Sequence, residues 1–134
     1  MPEVDAAAIE LMAEPLNATI STIDARGGPR AVPIWFRYED GKILIWTKDD
    51  RPRLRHLQRD PRCAIAVYNQ GVNLRGVLIR GTATITTSDD SSIDEEARRV
   101  CERYMPPEDL DAYLAQYTDR RTVVSVVIEW IRSW

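Results

Sequence analysis

Apolar and polar residues alternate along several short segments of this chain, a pattern typical of half-buried β-strands. Val32, Ile34, Phe36 and Tyr38 share one parity, so residues 31–38 are predicted to form one continuous strand. β-Branched residues and apolar runs bounded by turn residues predict further strands. These cover about residues 17–23, 43–47, 63–68, 72–86 and 123–128.

Helical periodicity and capping residues predict four helices in addition to these strands. Asp5 is a suitable cap for a helix over about 6–13, and a second helix ends at Asp60, which precedes a proline. A third helix is predicted to begin within 89–92 and end near Tyr104, and a fourth to end near residue 117. Gly81 favours a bulge in the longest strand, as at a barrel corner. The pattern predicts a single α+β domain over 1–134, an antiparallel barrel of about six strands with covering helices.

Composition narrows the classes of protein to which the chain can belong. Its 134 residues are 44% hydrophobic, enough for one core, and its formal net charge of −3 provides no basic field for general nucleic-acid binding. We expect no membrane span and no signal peptide, and therefore a cytoplasmic protein. The single histidine and two distant cysteines, Cys63 and Cys101, do not form a usual metal-binding cluster. Each cysteine is expected to be a small buried residue, with a disulfide as the alternative.

The second predicted helix begins among arginines, directly after a strand that ends at Thr47. At about 100° per residue, Arg53 points away from the stripe formed by its neighbouring arginines. An anion at the helix start would meet Arg51, Arg53, unpaired backbone N–H groups and the Thr47 hydroxyl. The alternative is that Asp49 or Asp50 caps the helix and the arginines form only a solvated basic face.

Four segments in the same order resemble the pyridoxamine 5′-phosphate oxidase-like family, whose members are split β-barrel proteins that bind FMN or the deazaflavin F420. The segments are 28–36, 46–47, 51–62 and 75–83. The resemblance implies an FMN-binding type of split barrel, with the cofactor phosphate at the arginine helix. It also implies a homodimer whose second subunit reaches the cofactor through Arg75 and Gly76. The cofactor-binding residues implied in this way are Arg30, Val32, Pro33, Ile34, Trp46, Thr47, Arg51, Arg53, Arg75 and Gly76.

Two departures from the family pattern separate this chain from the vitamin B6 oxidase itself. Pro52-Arg53 stands where that oxidase has Arg-Lys, and Trp35 stands where it has a lysine that contacts the cofactor. The chain is more similar to the small reductase-like members. The resemblance therefore implies either FMN or F420 as cofactor, and the sequence does not separate the two.

Three functions follow as expectations. The first is a homodimeric oxidoreductase that passes a hydride from FMN or F420 to a small unsaturated or quinone-like acceptor, chemistry that requires no protein nucleophile. The second is a non-catalytic module that binds flavin, F420 or haem for storage or sensing. The third, single-stranded nucleic-acid binding, is disfavoured by the net acidic charge. Tyr38, Tyr68 and Tyr117 are candidate proton donors, but each is more typical of a core aromatic, and His56 is more typical of a surface residue than of a base.

Overall fold

The computed structural model describes residues 2–87, 91–116 and 121–134. The helices are α1 (Ala6–Met12), α2 (Pro52–Arg59), α3 (Ser91–Cys101) and α4 (Pro107–Ala115). The strands are β1 (Ala18–Ile23), β2 (Pro29–Ile34), β3 (Arg37–Glu39), β4 (Lys42–Lys48), β5 (Arg62–Tyr68), β6 (Gly76–Thr87) and β7 (Arg121–Ser133). In the described residues, these seven strands form one antiparallel sheet in the order β2-β1-β5-β6-β7-β4-β3.

The prediction of one continuous strand over 31–38 is wrong, because the strand is interrupted at Trp35 and Phe36, which belong to neither β2 nor β3. β2 pairs with β1 at one edge of the sheet, whereas β3 pairs with β4 at the opposite edge. The two residues between them carry the chain from one edge to the other, so the sheet curls into a half-barrel. The alternation survives the break, since Phe36 is fully buried and Tyr38 packs against the same core.

The two longest strands, β6 and β7, differ from their predicted bounds. β6 begins at Gly76 rather than near residue 72, and the preceding Val72 and Leu74 are exposed. β7 continues to Ser133, well past the predicted end. The bulge predicted at Gly81 is confirmed by a shift in register between Arg80 and Gly81. The extended β6–β7 ladder forms the middle of the curled sheet.

Two apolar clusters hold the elements together. The larger lies inside the half-barrel, where alternate residues of the strands meet α1 and the buried Leu54 and Leu57 of α2. The smaller one joins α3 and α4 and packs against Trp35 and Trp46. The prediction of an α+β fold, an antiparallel split barrel with covering helices, is therefore confirmed, with seven strands in the described residues rather than about six.

The helix predictions are confirmed in position and differ at their ends. The Asp5 carboxylate accepts a hydrogen bond from the Ala8 N–H at 2.7 Å, so the predicted cap of α1 is present. α3 ends at Cys101 rather than near Tyr104. The predicted helix start at 89–90 and the predicted end of α4 at Tyr117 lie outside the described residues.

Candidate functional site

The start of α2 lies just after β4 ends. Arg51 is the N-cap residue in extended conformation, Pro52 is the first helical residue, and no side chain in the described part of the chain caps the first turn. The alternative in which Asp49 or Asp50 caps this helix is therefore wrong. The positive end of the helix and its first backbone N–H groups remain suited to an anion.

Arg53 carries the most unusual electrostatics at this helix start. Its Nη2 donates to the hydroxyl of Thr47 at 2.5 Å, whereas its Nε is buried without a hydrogen-bond partner among the described residues. Burial lowers the pKa of the Arg53 guanidinium, and the positive charge of Arg51 lowers it further. A buried donor without an acceptor is unfavourable in an otherwise satisfied interior. An anion at this point would remove the deficit.

A pocket of about 320 Å³ opens beside Arg53. This volume lies at the lower end of the range usual for small-molecule sites. Its described lining includes three cations and no carboxylate, together with aromatic and apolar side chains from β2, β4 and α4. The lining residues are Asn17, Pro33, Ile34, Trp35, Trp46, Thr47, Lys48, Arg51, Arg53 and Tyr113.

The pocket brings together much of the predicted cofactor site. It contains Pro33 and Ile34 of β2, Trp46 and Thr47 of β4, and both predicted phosphate-binding arginines, Arg51 and Arg53. The Thr47 side chain is almost completely buried, and its hydroxyl accepts from Arg53.

Four predicted residues lie outside the described pocket lining. Arg30 is exposed, with its guanidinium 3.7 Å from the Asp24 carboxylate, and Val32 packs toward the main core. Arg75 and Gly76 lie at the start of β6, beside α1 and the ring of Trp134. A contribution of Arg75 and Gly76 to the site of a second subunit stays a prediction.

Sequence reasoning missed part of the lining, above all Tyr113. This residue lies on α4 one turn from the buried Leu110 and next to the buried Leu114, on the side of the helix that packs against the sheet. That spacing signals a packed face, but it does not indicate which strand the face covers. The proposed donors Tyr38 and Tyr68 lie elsewhere, the first bonded to the Gly41 N–H and the second exposed. Tyr117 lies outside the described residues.

The described residues were also searched for a disulfide, a metal site and a membrane-spanning helix. Cys63 and Cys101 are both buried and unpaired, so the alternative of a disulfide is wrong. Within residues 2–87, 91–116 and 121–134, no group of three or more acidic, histidine or cysteine side chains is placed to hold a metal ion. No helix in these ranges is long and apolar enough to span a membrane.

Solved structures of other proteins share the fold of this chain. The chain resembles a conserved hypothetical protein from Mycobacterium tuberculosis, with 26% identity and a TM-score of 0.84 over 99% of this chain and 85% of that one. It also resembles an F420 reductase at 20% identity, with a TM-score of 0.73 over 98% of both chains. A FAD-binding protein from Mesorhizobium loti shares the fold at 12% identity and a TM-score of 0.67, over 97% of this chain and 94% of that one.

A search among curated proteins found no significant match. Residues 4–134, however, match the family model for pyridoxamine 5′-phosphate oxidase, which covers nearly the whole chain. The two structural relatives below 25% identity support the same fold. The chain therefore belongs to the pyridoxamine 5′-phosphate oxidase family.

Proposed function

We propose that the protein is an oxidoreductase that binds FMN or F420 in the pocket at the start of α2 and passes a hydride to a small unsaturated or quinone-like acceptor. The buried Nε of Arg53, without a partner in the described residues, is the observation that carries this proposal. Such a donor beside an uncapped helix start suits a phosphate group. The kinship with an F420 reductase and a FAD-binding protein supports a cofactor of this class.

The residues of the pocket fit the two chemical parts of such a cofactor. Arg51, Arg53 and the backbone of the first turn of α2 would hold the phosphate, with Thr47 orienting the Arg53 guanidinium. Pro33, Ile34 and Trp46 would contact the tricyclic ring through apolar surface. Both FMN and F420 carry a phosphate and a planar ring, so this arrangement suits either.

The bound cofactor would supply the hydride-transfer chemistry, and the protein has to bind and orient it. Trp35 and Trp46 would form an apolar wall beside the bound ring, because both line the pocket and pack against the cluster that joins α3 and α4. The guanidinium of Arg53 is held by Thr47 before any ligand arrives, so little order is lost when an anion binds.

We further propose a homodimer, with the small-molecule acceptor bound near the subunit boundary. The strand register places Pro33, Thr19, Ala66 and Leu78 in one row across β2, β1, β5 and β6. This row runs from the pocket edge to the exposed Leu78 on the outer sheet face. A row of this kind, apolar except for Thr19, favours contact with a second subunit, which would bring its own Arg75 and Gly76 toward the pocket. A cytoplasmic location stays a prediction.

The proposal is tested by titrating cofactor-free protein with FMN and, separately, with F420, following quenching of cofactor fluorescence. We expect saturable binding of at least one, weakened in Arg53→Ala. Absence of binding to both would contradict the proposal.

Turnover separates the enzyme from a non-catalytic storage or sensing module. The loaded protein, reduced anaerobically, is mixed with a soluble quinone, and cofactor reoxidation is followed by absorbance. We expect reoxidation faster than for the same concentration of free reduced cofactor. Tight binding without this acceleration would favour the module.

A further inference from the structure

The break between β2 and β3 is held by two side chains from the segment that joins α3 to α4. Phe36 lies in this break, is fully buried and has no place in a strand ladder. Its N–H donates to the hydroxyl of Tyr104 at 3.2 Å, and its carbonyl accepts from Nη1 of Arg103. The backbone N–H and carbonyl of Phe36 are thus satisfied by Tyr104 and Arg103.

Arg103 ties the same break to the end of α1. Its Nη2 donates to the carbonyls of Met12 and Glu14, each at 2.7 Å, and its guanidinium lies over the ring of Phe36, 4.8 Å from the centroid. Burial lowers the pKa of Arg103. A guanidinium nevertheless stays charged at neutral pH, so these remain charge-assisted hydrogen bonds.

Tyr104 connects the break to the pocket wall. Its hydroxyl donates to the Leu16 carbonyl at 2.9 Å, and burial raises its pKa, which keeps the proton available for this bond. Its ring is stacked on the indole of Trp35, with centroids 4.7 Å apart and planes within 5°. Tyr113 contacts the same indole at 5.5 Å with a tilt of 35°. One side chain therefore holds both Trp35 and the backbone of the next residue.

We propose that Tyr104 and Arg103 are positioning residues: by fixing the break at 35–36, they hold the Trp35 indole as the pocket wall that contacts the ring of the bound ligand. The phosphate-binding group at Thr47, Arg51 and Arg53 belongs to other elements, β4 and the start of α2. Loss of Tyr104 is therefore expected to affect recognition of the ring and not of the phosphate. The identity of the ligand rests on the proposed function, whereas the position of Trp35 rests on the contacts alone.

The first test uses cofactor-free protein. Acrylamide quenching is compared in wild type, Tyr104→Leu and Tyr104→Phe, each with and without Trp35→Phe, so that the difference isolates Trp35. We expect Trp35 to become more accessible in Tyr104→Leu. Tyr38→Phe is the matched control, because the Tyr38 hydroxyl also accepts a backbone N–H at 3.2 Å and Tyr38 does not line the pocket. Unchanged quenching of Trp35 in Tyr104→Leu would overturn the proposal.

The second test separates ring from phosphate. Loss of the stacked pair in Tyr104→Leu is expected to weaken FMN or F420 binding by about two- to tenfold. Affinity for inorganic phosphate, measured by thermal-shift titration, should stay at the wild-type value. An equal loss of both affinities, or unchanged binding of a cofactor that the wild type binds, would contradict a positioning role. If the wild type binds neither cofactor, the proposed function fails and the quenching result alone decides the position of Trp35.

A milder variant keeps the proposal testable if Tyr104→Leu does not fold. Tyr104→Phe retains the ring but removes the acceptor of the Phe36 N–H. Amide exchange at Phe36, followed by NMR, should become faster than in wild type and in Tyr38→Phe. Equal exchange in all three proteins would show that Tyr104 does not hold the break.

Discussion

Replacement of Arg53 by methionine separates a ligand-binding role from a structural one. In the cofactor-free protein, the change removes the hydrogen bond to the buried Thr47 hydroxyl, a loss of about 1.5–3 kcal/mol for a charged donor. It also removes the desolvated Nε, whose unsatisfied burial costs about 1–3 kcal/mol. These effects oppose each other, so we expect the free energy of unfolding to change by no more than about 2 kcal/mol.

Arg53→Met should weaken ligand binding, because no opposing term offsets the lost contact with the phosphate. A charge-assisted bond from the guanidinium to a phosphate contributes about 1.5–3 kcal/mol, so the Kd for FMN or F420 should rise by about 10- to 150-fold. Urea unfolding of the cofactor-free protein gives the stability, and a fluorescence titration gives the Kd. Arg55→Met is the control, because Arg55 lies on the same helix, is exposed and does not line the pocket. A loss of several kcal/mol in stability together with an unchanged Kd would show that Arg53 is only a structural residue.

Three further predictions concern other parts of the molecule. A Cβ at Gly76 would lie 2.2 Å from the ring of Trp134, so Gly76→Ala should destabilise the fold by about 1–3 kcal/mol. Adding Trp134→Ala should relieve much of that loss, and effects of the two substitutions that simply add in urea unfolding would contradict this contact. Burial raises the pKa of the Cys63 and Cys101 thiols from 9.0 to about 11, so the native protein should react slowly with Ellman's reagent, and rapid labelling would contradict burial. The folded state should also lose stability as the pH rises from 9.0 toward 11, because the unfolded thiols lose their protons first. Leu78→Glu should convert a dimer to monomer in sedimentation experiments while leaving the far-UV circular dichroism unchanged. A monomeric wild type would contradict the proposed dimer contact through Leu78.

The strands were predictable because residue parity records which face is buried. Ile43, Ile45 and Thr47 of β4 are all buried, as their spacing of two indicates. The break at Trp35 was not predictable, because the buried parity of Val32 and Ile34 before it continues in Phe36 and Tyr38 after it. Parity reports burial, but it does not report which neighbouring strand supplies the hydrogen bonds.

The cationic half of the site was predictable for a similar local reason. Arg51, Arg53 and Thr47 lie within seven positions of one another, so a strand followed by a helix brings them together whatever the rest of the fold. The aromatic half depends on distant segments, since Trp35 meets Tyr104 and Tyr113 only when α3 and α4 pack over the sheet. Nothing in local spacing indicates that contact.

The central claim is that this pocket recognises a phosphate attached to a planar ring, and a comparison of FMN with riboflavin tests it most directly. The two ligands share the ring and differ in the phosphate, and both are titrated against wild type and Arg53→Met by fluorescence. We predict that wild type binds FMN at least about tenfold more tightly than riboflavin, and that Arg53→Met abolishes most of this difference. F420 is titrated in parallel, with binding of F420 alone identifying the deazaflavin as the ligand. Equal affinity of the wild type for FMN and riboflavin, without binding of F420, would contradict the account.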